Sequence, residues 1–217
     1  MVRLHRGGRF RSWLGHGLGG GPELGDRIWR RILHGLGAGA LLYYVLPPNV
    51  LWVVPNVVIP FLALAIVLAI EAMRLGGAIE VPVIRPYEAR RPASYAYFAI
   101  AIVIAIVAFP QAIAIAVVLG TAIVDPLAGE LRGAARPTTR RWYPWAPFVV
   151  YVALAWTALF SVGHWNPGFA AAISIAAGVA AILTEAPKWK YVDDDLAMTL
   201  VPGTIAFVLA ALLPGLI

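Results

Sequence analysis

The sequence predicts an all-α protein, a polytopic membrane bundle of about seven transmembrane helices with its N-terminus in the cytosol. Composition is the first observation behind this prediction: 61% of the 217 residues are hydrophobic and only 13% are charged. A soluble domain has roughly 45–50% apolar and about 25% charged residues. The second observation is a series of apolar runs, and the third is the placement of the charges between them. The chain has no cysteine, which excludes disulfides and thiol chemistry.

The candidate spans are seven apolar runs, at 32–46, 50–70, 93–109, 111–124, 147–162, 168–184 and 196–213. Several are shorter than the roughly 20 residues that a spanning helix needs, so neighbouring polar and aromatic residues are expected to complete them. Prolines and glycines mark the joints between the runs. Residues 1–26 are expected to form a flexible, basic cytosolic tail that lacks a signal-peptide core. Residues 27–217 are expected to form the transmembrane domain.

All formal charges fall in four segments, residues 3–31, 71–91, 125–141 and 185–195. In a seven-span chain these segments are alternate connections, so they share one side of the membrane. Together they hold all 17 Lys and Arg residues, and connections rich in Lys and Arg stay in the cytosol. We therefore expect all charged chemistry at the cytosolic surface. The spans themselves are nearly free of charge, unlike those of ion-coupled transporters.

Acids are predicted at the ends of three helices that run toward the charged side: Glu71, Asp125 and Glu185. A carboxylate at a helix C-terminus is disfavoured by roughly 0.3–1 kcal/mol. Each of these acids is therefore expected to have a compensating cation, either an arginine or a divalent metal. Glu71 and Arg74 are three residues apart and can pair on one helix face.

Three adjacent aspartates, Asp193, Asp194 and Asp195, precede the last span. Aspartate is a preferred residue at a helix N-terminus, so one of the three is expected to cap the helix, and Asp195 is the candidate. The other two place like charges side by side, which is costly unless a cation relieves them. Carboxylate oxygens suit Mg²⁺, which is often completed by substrate phosphates. The predicted metal ligands are Asp125, Glu185, Asp193 and Asp194.

Basic residues near these acids could hold the phosphates of a nucleotide. Guanidinium groups match phosphate geometry, although the positive-inside rule alone also accounts for such residues. The candidates for this cofactor-binding role are Arg74, Arg85, Arg132, Arg140, Arg141, Lys188 and Lys190.

Four stretches carry a further signal: "RRILH" at 30–34, "EAMR" with "RPYE" in 71–88, "VDPLAGELRG" at 124–133 and "EAPKWKYVDDDLAMTLVPG" at 185–203. Together they resemble the dolichol kinase family of CTP-dependent polyprenol and diacylglycerol kinases, in particular its archaeal members. Phytol kinases are related to that family. The last stretch is the most specific, because it is similar to the family's closing Asp-Asp-Asn-Leu-Thr motif. Asp195 replaces the Asn and Ala197 the Thr. The Lys-Ser-x-Glu-Gly stretch of the family has only "RPTTRR" in its place.

The resemblance implies a CTP-dependent kinase that phosphorylates a long-chain isoprenoid alcohol, of the polyprenol or dolichol type, at the cytosolic face of the cell membrane. It implies Mg²⁺ as cofactor, a lipid alcohol and a nucleotide as partners, no nucleic acid, and residues 27–217 as the catalytic domain. The catalytic residues that it implies are Asp125, Asp193, Asp194, Glu88 and His34.

Two alternatives stay open. A CTP:lipid-phosphate cytidylyltransferase, of the CDP-archaeol or CDP-diacylglycerol synthase type, would use the same nucleotide, metal and location. A non-enzymatic membrane transporter or scaffold belongs to a different class.

Overall fold

The computed structural model describes residues 22–50, 54–81, 84, 88–134, 136–185 and 193–213, with the backbone alone for residues 22–30. Within these ranges the chain is almost entirely helical, as its composition predicts. Residues 1–21 of the predicted tail and three of the basic candidates, Arg85, Lys188 and Lys190, lie outside the described residues.

The chain begins with helix α1, Pro22–Gly39, which continues as a 3-10 helix at Ala40–Val45. Helix α1 thus starts inside the stretch that the sequence predicted to be a tail. Two short strands follow, β1 (Asn49–Val50) and β2 (Val54–Pro55), and they pair antiparallel. The prolines at 47 and 48 cannot continue a helix, because each lacks a backbone N–H.

The rest of the chain is a series of helices: α2 (Val58–Leu75), α3 (Ser94–Ala108), α4 (Gln111–Arg132), the short α5 (Pro137–Arg140), α6 (Trp145–Ser161), α7 (Pro167–Glu185) and α8 (Asp194–Leu212). In the described part of the chain, five helical regions are long and apolar enough to cross a membrane: α2, α4, α5 with α6, α7 and α8. The protein is therefore an all-α membrane protein. To reach seven spans, two further elements would have to cross the membrane: α3, which is apolar but shorter, and α1 with its 3-10 extension. The count of seven and the cytosolic position of the N-terminus therefore stay predictions.

The prediction that a helix ends at Asp125 is wrong. Helix α4 continues through Asp125 and Pro126 to Arg132. Hydropathy locates the end of the apolar run, but it does not locate the end of the helical backbone. Pro126 removes one backbone hydrogen bond, while the following Leu, Ala, Glu and Arg residues are good helix formers. Asp125 consequently projects from the side of a helix into the protein, where it is 3% exposed.

Helix α4 is the centre of the bundle, and small residues let its neighbours approach closely. A Cβ on Gly120 would lie 2.4 Å from Cε2 of Tyr151 in α6. Close packing of this kind drives helix association in lipid, because lipid tails are as apolar as the side chains. Large apolar side chains instead cover the outer faces, as with Phe61 and Leu62 of α2, which are 49% and 58% exposed. Those faces suit a hydrocarbon environment.

The ionic contacts of the described residues gather at one end of the bundle, which we call the charged end. Arg31 of α1 pairs with Glu130 of α4 at 2.5 Å. At the same end, the start of α3 is hydrogen bonded to the start of α8, and the ends of α4 and α7 are joined by an ion pair. The segments that the sequence predicted to share one side of the membrane therefore meet in space.

Candidate functional site

The centre of the site is His34, whose ring nitrogen lies between two carboxylates. Its Nε2 atom is 3.3 Å from Oδ2 of Asp125 and 3.3 Å from Oδ1 of Asp195. All three side chains are buried, although they come from α1, α4 and α8. Phe98 of α3 stacks on the imidazole at 5.1 Å between ring centroids, so the ring is held on its flat face as well as at its edge.

Ser94, the first residue of α3, extends this group toward Asp193. Its Oγ atom is 2.7 Å from Oδ2 of Asp195, and 3.1 and 3.3 Å from the two carboxylate oxygens of Asp193. A hydroxyl has one proton, and the shortest distance favours donation to Asp195. The backbone N–H of Ser94 donates to Oε1 of Glu88 at 3.2 Å. Sequence reasoning missed Ser94; the one available signal was a hydroxyl residue at the entry to an apolar run.

Asp193, and not Asp195, caps helix α8, so the prediction for the cap is wrong. The carboxylate of Asp193 accepts a hydrogen bond from the backbone N–H of Asp195 at 3.1 Å. A capping side chain must come from the residue before the first helical one, whereas Asp195 already lies in the first turn and projects toward His34. Burial, followed by the negative charges of Asp195 and Asp194, raises the pKa of the Asp193 carboxyl to about 7. We call His34, Ser94, Asp125, Asp193, Asp194 and Asp195 the acidic cluster.

A hydrogen-bonded pair of threonines stabilises the acidic cluster through the backbone of Asp195. The Thr199 hydroxyl is 2.8 Å from the backbone carbonyl of Asp195 and 2.9 Å from the Thr121 hydroxyl. The carbonyl can only accept, so Thr199 donates to it and Thr121 donates to Thr199. Both threonines are completely buried. This chain of bonds fixes the first turn of α8 against α4.

The predicted pairing of Glu71 with Arg74 is confirmed. Two parallel hydrogen bonds of 2.7 and 2.6 Å join the guanidinium to the carboxylate. Glu71 also accepts bonds from the Tyr95 hydroxyl and from the backbone N–H of Ala93 at 2.8 Å. Arg74 in turn donates to the backbone carbonyl of Arg91. Arg74, a candidate for nucleotide binding, is thus placed in a buried ion pair that holds the turn before α3.

The negative charge of Glu185 is compensated by an arginine, which is one of the two kinds of cation that the sequence predicted for it. Arg132 contacts its carboxylate, and the Tyr143 hydroxyl donates to Oε2 at 2.9 Å. Glu185 is 1% exposed and forms a separate group beside the acidic cluster. The structure therefore brings Asp125, Asp193 and Asp194 of the predicted metal ligands to the cluster around Asp195, with Glu185 next to it.

The other basic candidates that the structure describes, Arg140 and Arg141, are exposed on and just after α5 at the charged end. Arg141 lies over the Trp142 ring, 5.7 Å from its centroid. They are accessible to a soluble ligand, whereas Arg74 is 9% exposed.

An apolar cavity of about 460 Å³ ends at the acidic cluster. Its walls come from α1, the 3-10 helix, α2 and α3. The polar residues at the end beside the acidic cluster include His34, Glu88, Ser94 and Asp195, and Tyr43 of the 3-10 helix also lines the cavity. Among the described residues that line it, none is Lys or Arg. The cavity can therefore accept a hydrocarbon chain whose head group is neutral or donates hydrogen bonds.

The donor set of the acidic cluster fits a hard divalent cation. Carboxylate oxygens of Asp193, Asp194 and Asp195 lie within 4.8 Å of one another, and so do donor atoms of His34, Asp125 and Asp195. Mg²⁺ prefers a few carboxylate ligands together with waters and phosphate oxygens. The three carboxylates are close enough to repel one another, and a bound cation would relieve that repulsion.

The fold and the site together define an integral membrane protein in which a partly buried acidic cluster closes one end of an apolar cavity. Comparisons with protein-family profiles, with curated proteins and with solved structures gave no match.

Proposed function

We propose that this protein is a lipid-alcohol kinase of the cell membrane, which transfers the terminal phosphate of CTP to the hydroxyl of a long-chain isoprenoid alcohol at the cytosolic face. One observation carries the proposal: the apolar cavity ends at His34, Glu88, Ser94 and Asp195. A lipid that fills the cavity with its tail would present its head group to a histidine and two carboxylates. These are the groups that bind and deprotonate a hydroxyl.

Within this proposal, Asp195 accepts the proton of the lipid hydroxyl, and His34, whose Nε2 lies 3.3 Å from Oδ1 of Asp195, orients that carboxylate. Asp125 holds the imidazole at the same nitrogen, since its Oδ2 is also 3.3 Å from Nε2. Glu88 and Ser94 complete the polar end of the cavity. Asp193 and Asp194, with Asp195, would hold Mg²⁺, which when bound neutralises the charge that develops on the donor phosphates.

The basic residues would bind the nucleotide from the aqueous side. Arg140 and Arg141 are exposed at the charged end and free to reach phosphate oxygens with their planar donors. Arg132 is engaged with Glu185, so its role would be to hold that carboxylate, a predicted metal ligand, beside the acidic cluster. Arg85, Lys188 and Lys190 remain candidates from the sequence.

The charge of the cavity favours a kinase over a cytidylyltransferase. The acceptor of a cytidylyltransferase is a lipid phosphate, which needs cationic partners beside the tail site. The polar end of this cavity instead carries Glu88 and Asp195, with no Lys or Arg among the described lining residues. A scaffold, in turn, would gain nothing from buried carboxylates, each of which is costly to remove from water.

The test uses the full chain in lipid nanodiscs with Mg²⁺ and CTP labelled at either the α or the γ phosphate. Substrates are a polyprenol, a diradylglycerol and the phosphates of both. We expect γ label in the lipid product with no α label, and loss of transfer in Asp195→Ala. Glu80→Gln, an exposed acid outside the acidic cluster, is the matched control and should retain activity. Transfer of α label would assign a cytidylyltransferase, and no transfer to any lipid would reject both enzymes.

A further inference from the structure

Two threonines, one helical turn from the acidic cluster, join helices α4 and α8 directly. Thr121 is four residues before Asp125 on α4, and Thr199 is four residues after Asp195 on α8. Residues four apart share one face of a helix, so the faces that carry the threonines also carry the two aspartates, about 6 Å further along. Thr121 donates to Thr199 at 2.9 Å, and both side chains are completely buried. A hydrogen bond therefore fixes the distance between these two faces.

This hydrogen bond holds the two helices closer together than an apolar contact would. Carbon atoms touch at roughly 3.5–4.0 Å, whereas the two threonine oxygens are 2.9 Å apart. With a methyl group in place of each hydroxyl, the contact would be longer by about 0.6–1.1 Å. Because both residues are completely buried, the close-packed atoms around them leave little room for the methyl groups to move aside. The helices themselves would have to separate.

The two aspartates at the next level depend on the same spacing. Oδ2 of Asp125 and Oδ1 of Asp195 are each 3.3 Å from Nε2 of His34. Donor atoms of the three residues lie within 4.8 Å of one another, so the carboxylates of α4 and α8 meet where the two helices pack together. If aspartates of both helices hold one cation, the distance between its ligands is set by the distance between the helices.

Mg²⁺ and Ca²⁺ need different distances between ligands on opposite sides of the ion. Mg²⁺ requires near-octahedral geometry with oxygens at about 2.0–2.1 Å, whereas Ca²⁺ accepts flexible geometry with oxygens at about 2.3–2.6 Å. Opposed ligands are then about 4.0–4.2 Å apart for Mg²⁺ and about 4.6–5.2 Å apart for Ca²⁺. A widening of about 0.6–1.1 Å between the helices is as large as the difference between the two ions.

We propose that Thr121 and Thr199 are positioning residues, which set the spacing of the aspartates on α4 and α8 so that the acidic cluster prefers Mg²⁺ to Ca²⁺. This inference rests on the proposed function for the metal site and adds the origin of its selectivity. Neither threonine would contact the ion. They act through the helices that carry Asp125 and Asp195.

Binding of the metal ions alone tests the inference without catalysis. The full chain in nanodiscs of zwitterionic lipid is freed of divalent ions with a chelator, and its affinities for Mg²⁺ and Ca²⁺ are measured by calorimetry. In Thr121→Val/Thr199→Val we expect the Mg²⁺ affinity to fall by about tenfold or more, as is usual when a partner behind the metal ligands is changed. The Ca²⁺ affinity should hold or rise, because Ca²⁺ tolerates longer distances. A merely stabilising role would leave the ratio of the two affinities unchanged.

The double variant is expected to fold. Replacing both members of a buried hydrogen-bonded pair by apolar groups of the same shape is nearly neutral for stability, so the midpoint of thermal unfolding, measured in chelator, should stay close to that of the parent. Thr121→Val alone gives a second measurement that does not depend on the double variant. It removes only the bond between the helices, since Thr199 still donates to the backbone carbonyl of Asp195, and it should shift the ratio in the same direction.

Two controls separate the hydroxyl from other effects of substitution. Thr199→Ser keeps the hydroxyl and should keep the preference of the parent for Mg²⁺. Thr157→Val makes the same chemical change elsewhere, at an exposed residue of α6 whose hydroxyl donates within its own helix, to the carbonyl of Ala153 at 2.8 Å. It should leave both affinities unchanged.

The inference is overturned if the parent has no preference for Mg²⁺, or if the double variant and Thr121→Val keep the parent's ratio of affinities or lose both affinities by the same factor. It is equally overturned if Thr199→Ser loses the preference as fully as the double variant does. A parent that binds neither ion would reject the metal site of the proposed function and this inference with it. A shifted ratio in a protein that transfers no phosphate would reject the kinase and leave the role of the threonines standing, so the two failures are distinguishable.

Discussion

Removal of the Arg74 guanidinium should destabilise the protein far more than removal of an exposed arginine. Arg74 and Glu71 are 9% and 3% exposed and share two hydrogen bonds. In Arg74→Met the Glu71 carboxylate stays buried without its cation. Breaking a buried pair from one side costs about 3–5 kcal/mol. For a chain of this size each kcal/mol lowers the midpoint of thermal unfolding by about 2–4 °C, so a fall of roughly 6–20 °C is expected.

The chain offers its own control for this experiment. Arg31 and Glu130 form a pair of the same chemistry, with side chains that are 56% and 38% exposed. An exposed pair contributes about 0–1 kcal/mol, so Arg31→Met should lower the midpoint by no more than about 4 °C. The double variant Glu71→Gln/Arg74→Met should recover part of the loss, because a buried amide is less costly than a buried charge.

Thermal unfolding in detergent, followed by intrinsic tryptophan fluorescence, measures all four proteins under one condition. Equal shifts for Arg74→Met and Arg31→Met would refute the reasoning from burial. The same samples show whether Arg74 has a role beyond stability. If it does not contact nucleotide, the folded fraction of Arg74→Met should bind CTP with the affinity of the parent protein.

Three further predictions concern the metal, the packing and the topology. Asp193→Asn should keep the midpoint of unfolding within about 4 °C, since Asn caps a helix as well as Asp, and should lose Mg²⁺ binding measured by calorimetry; unchanged Mg²⁺ affinity would leave Asp193 only its capping role. Gly120→Ala should lower the free energy of unfolding by about 1–3 kcal/mol, because its new methyl group overlaps a tyrosine ring. In Gly129→Ala, in the same helix, the methyl group meets no atom within 4 Å, so this variant should raise the free energy of unfolding by about 0.5–1 kcal/mol. Thr139→Cys should resist an impermeant thiol reagent in intact cells and Asn49→Cys should react; the reverse result would place the charged end outside the cell.

The sequence was sufficient for features that depend on the transfer of groups out of water. Apolar runs and the segregation of charge predicted a helical membrane bundle whose charged segments meet. The pairing of Glu71 with Arg74 followed from helical spacing, and Asp193 and Asp194 were singled out because adjacent carboxylates repel. Each of these rests on local chemistry that any arrangement of the helices preserves.

Features that depend on how helices meet could not be predicted. Asp195 was predicted to be the cap. Its contacts with His34 and Ser94 could not be predicted, because they join residues that are 161 and 101 positions apart in the sequence. The Thr121–Thr199 bond likewise joins α4 to α8, and neither residue stands out in an apolar run. The apolar cavity is a gap between four elements, and no single stretch of sequence encodes its width.

The position of Asp195 has a consequence for biosynthesis. Its partner His34 is made 161 residues earlier, and Asp125 also precedes it. Chains generally fold from the N-terminus as they are synthesised, so the imidazole and the first carboxylate enter the membrane before α8 supplies their second acid and the acidic ligands beside it. Until α8 docks, the site has neither its full charge nor its hydrogen bonds. Metal binding at the acidic cluster would thus report that the last of these helices has been inserted and that the bundle is complete.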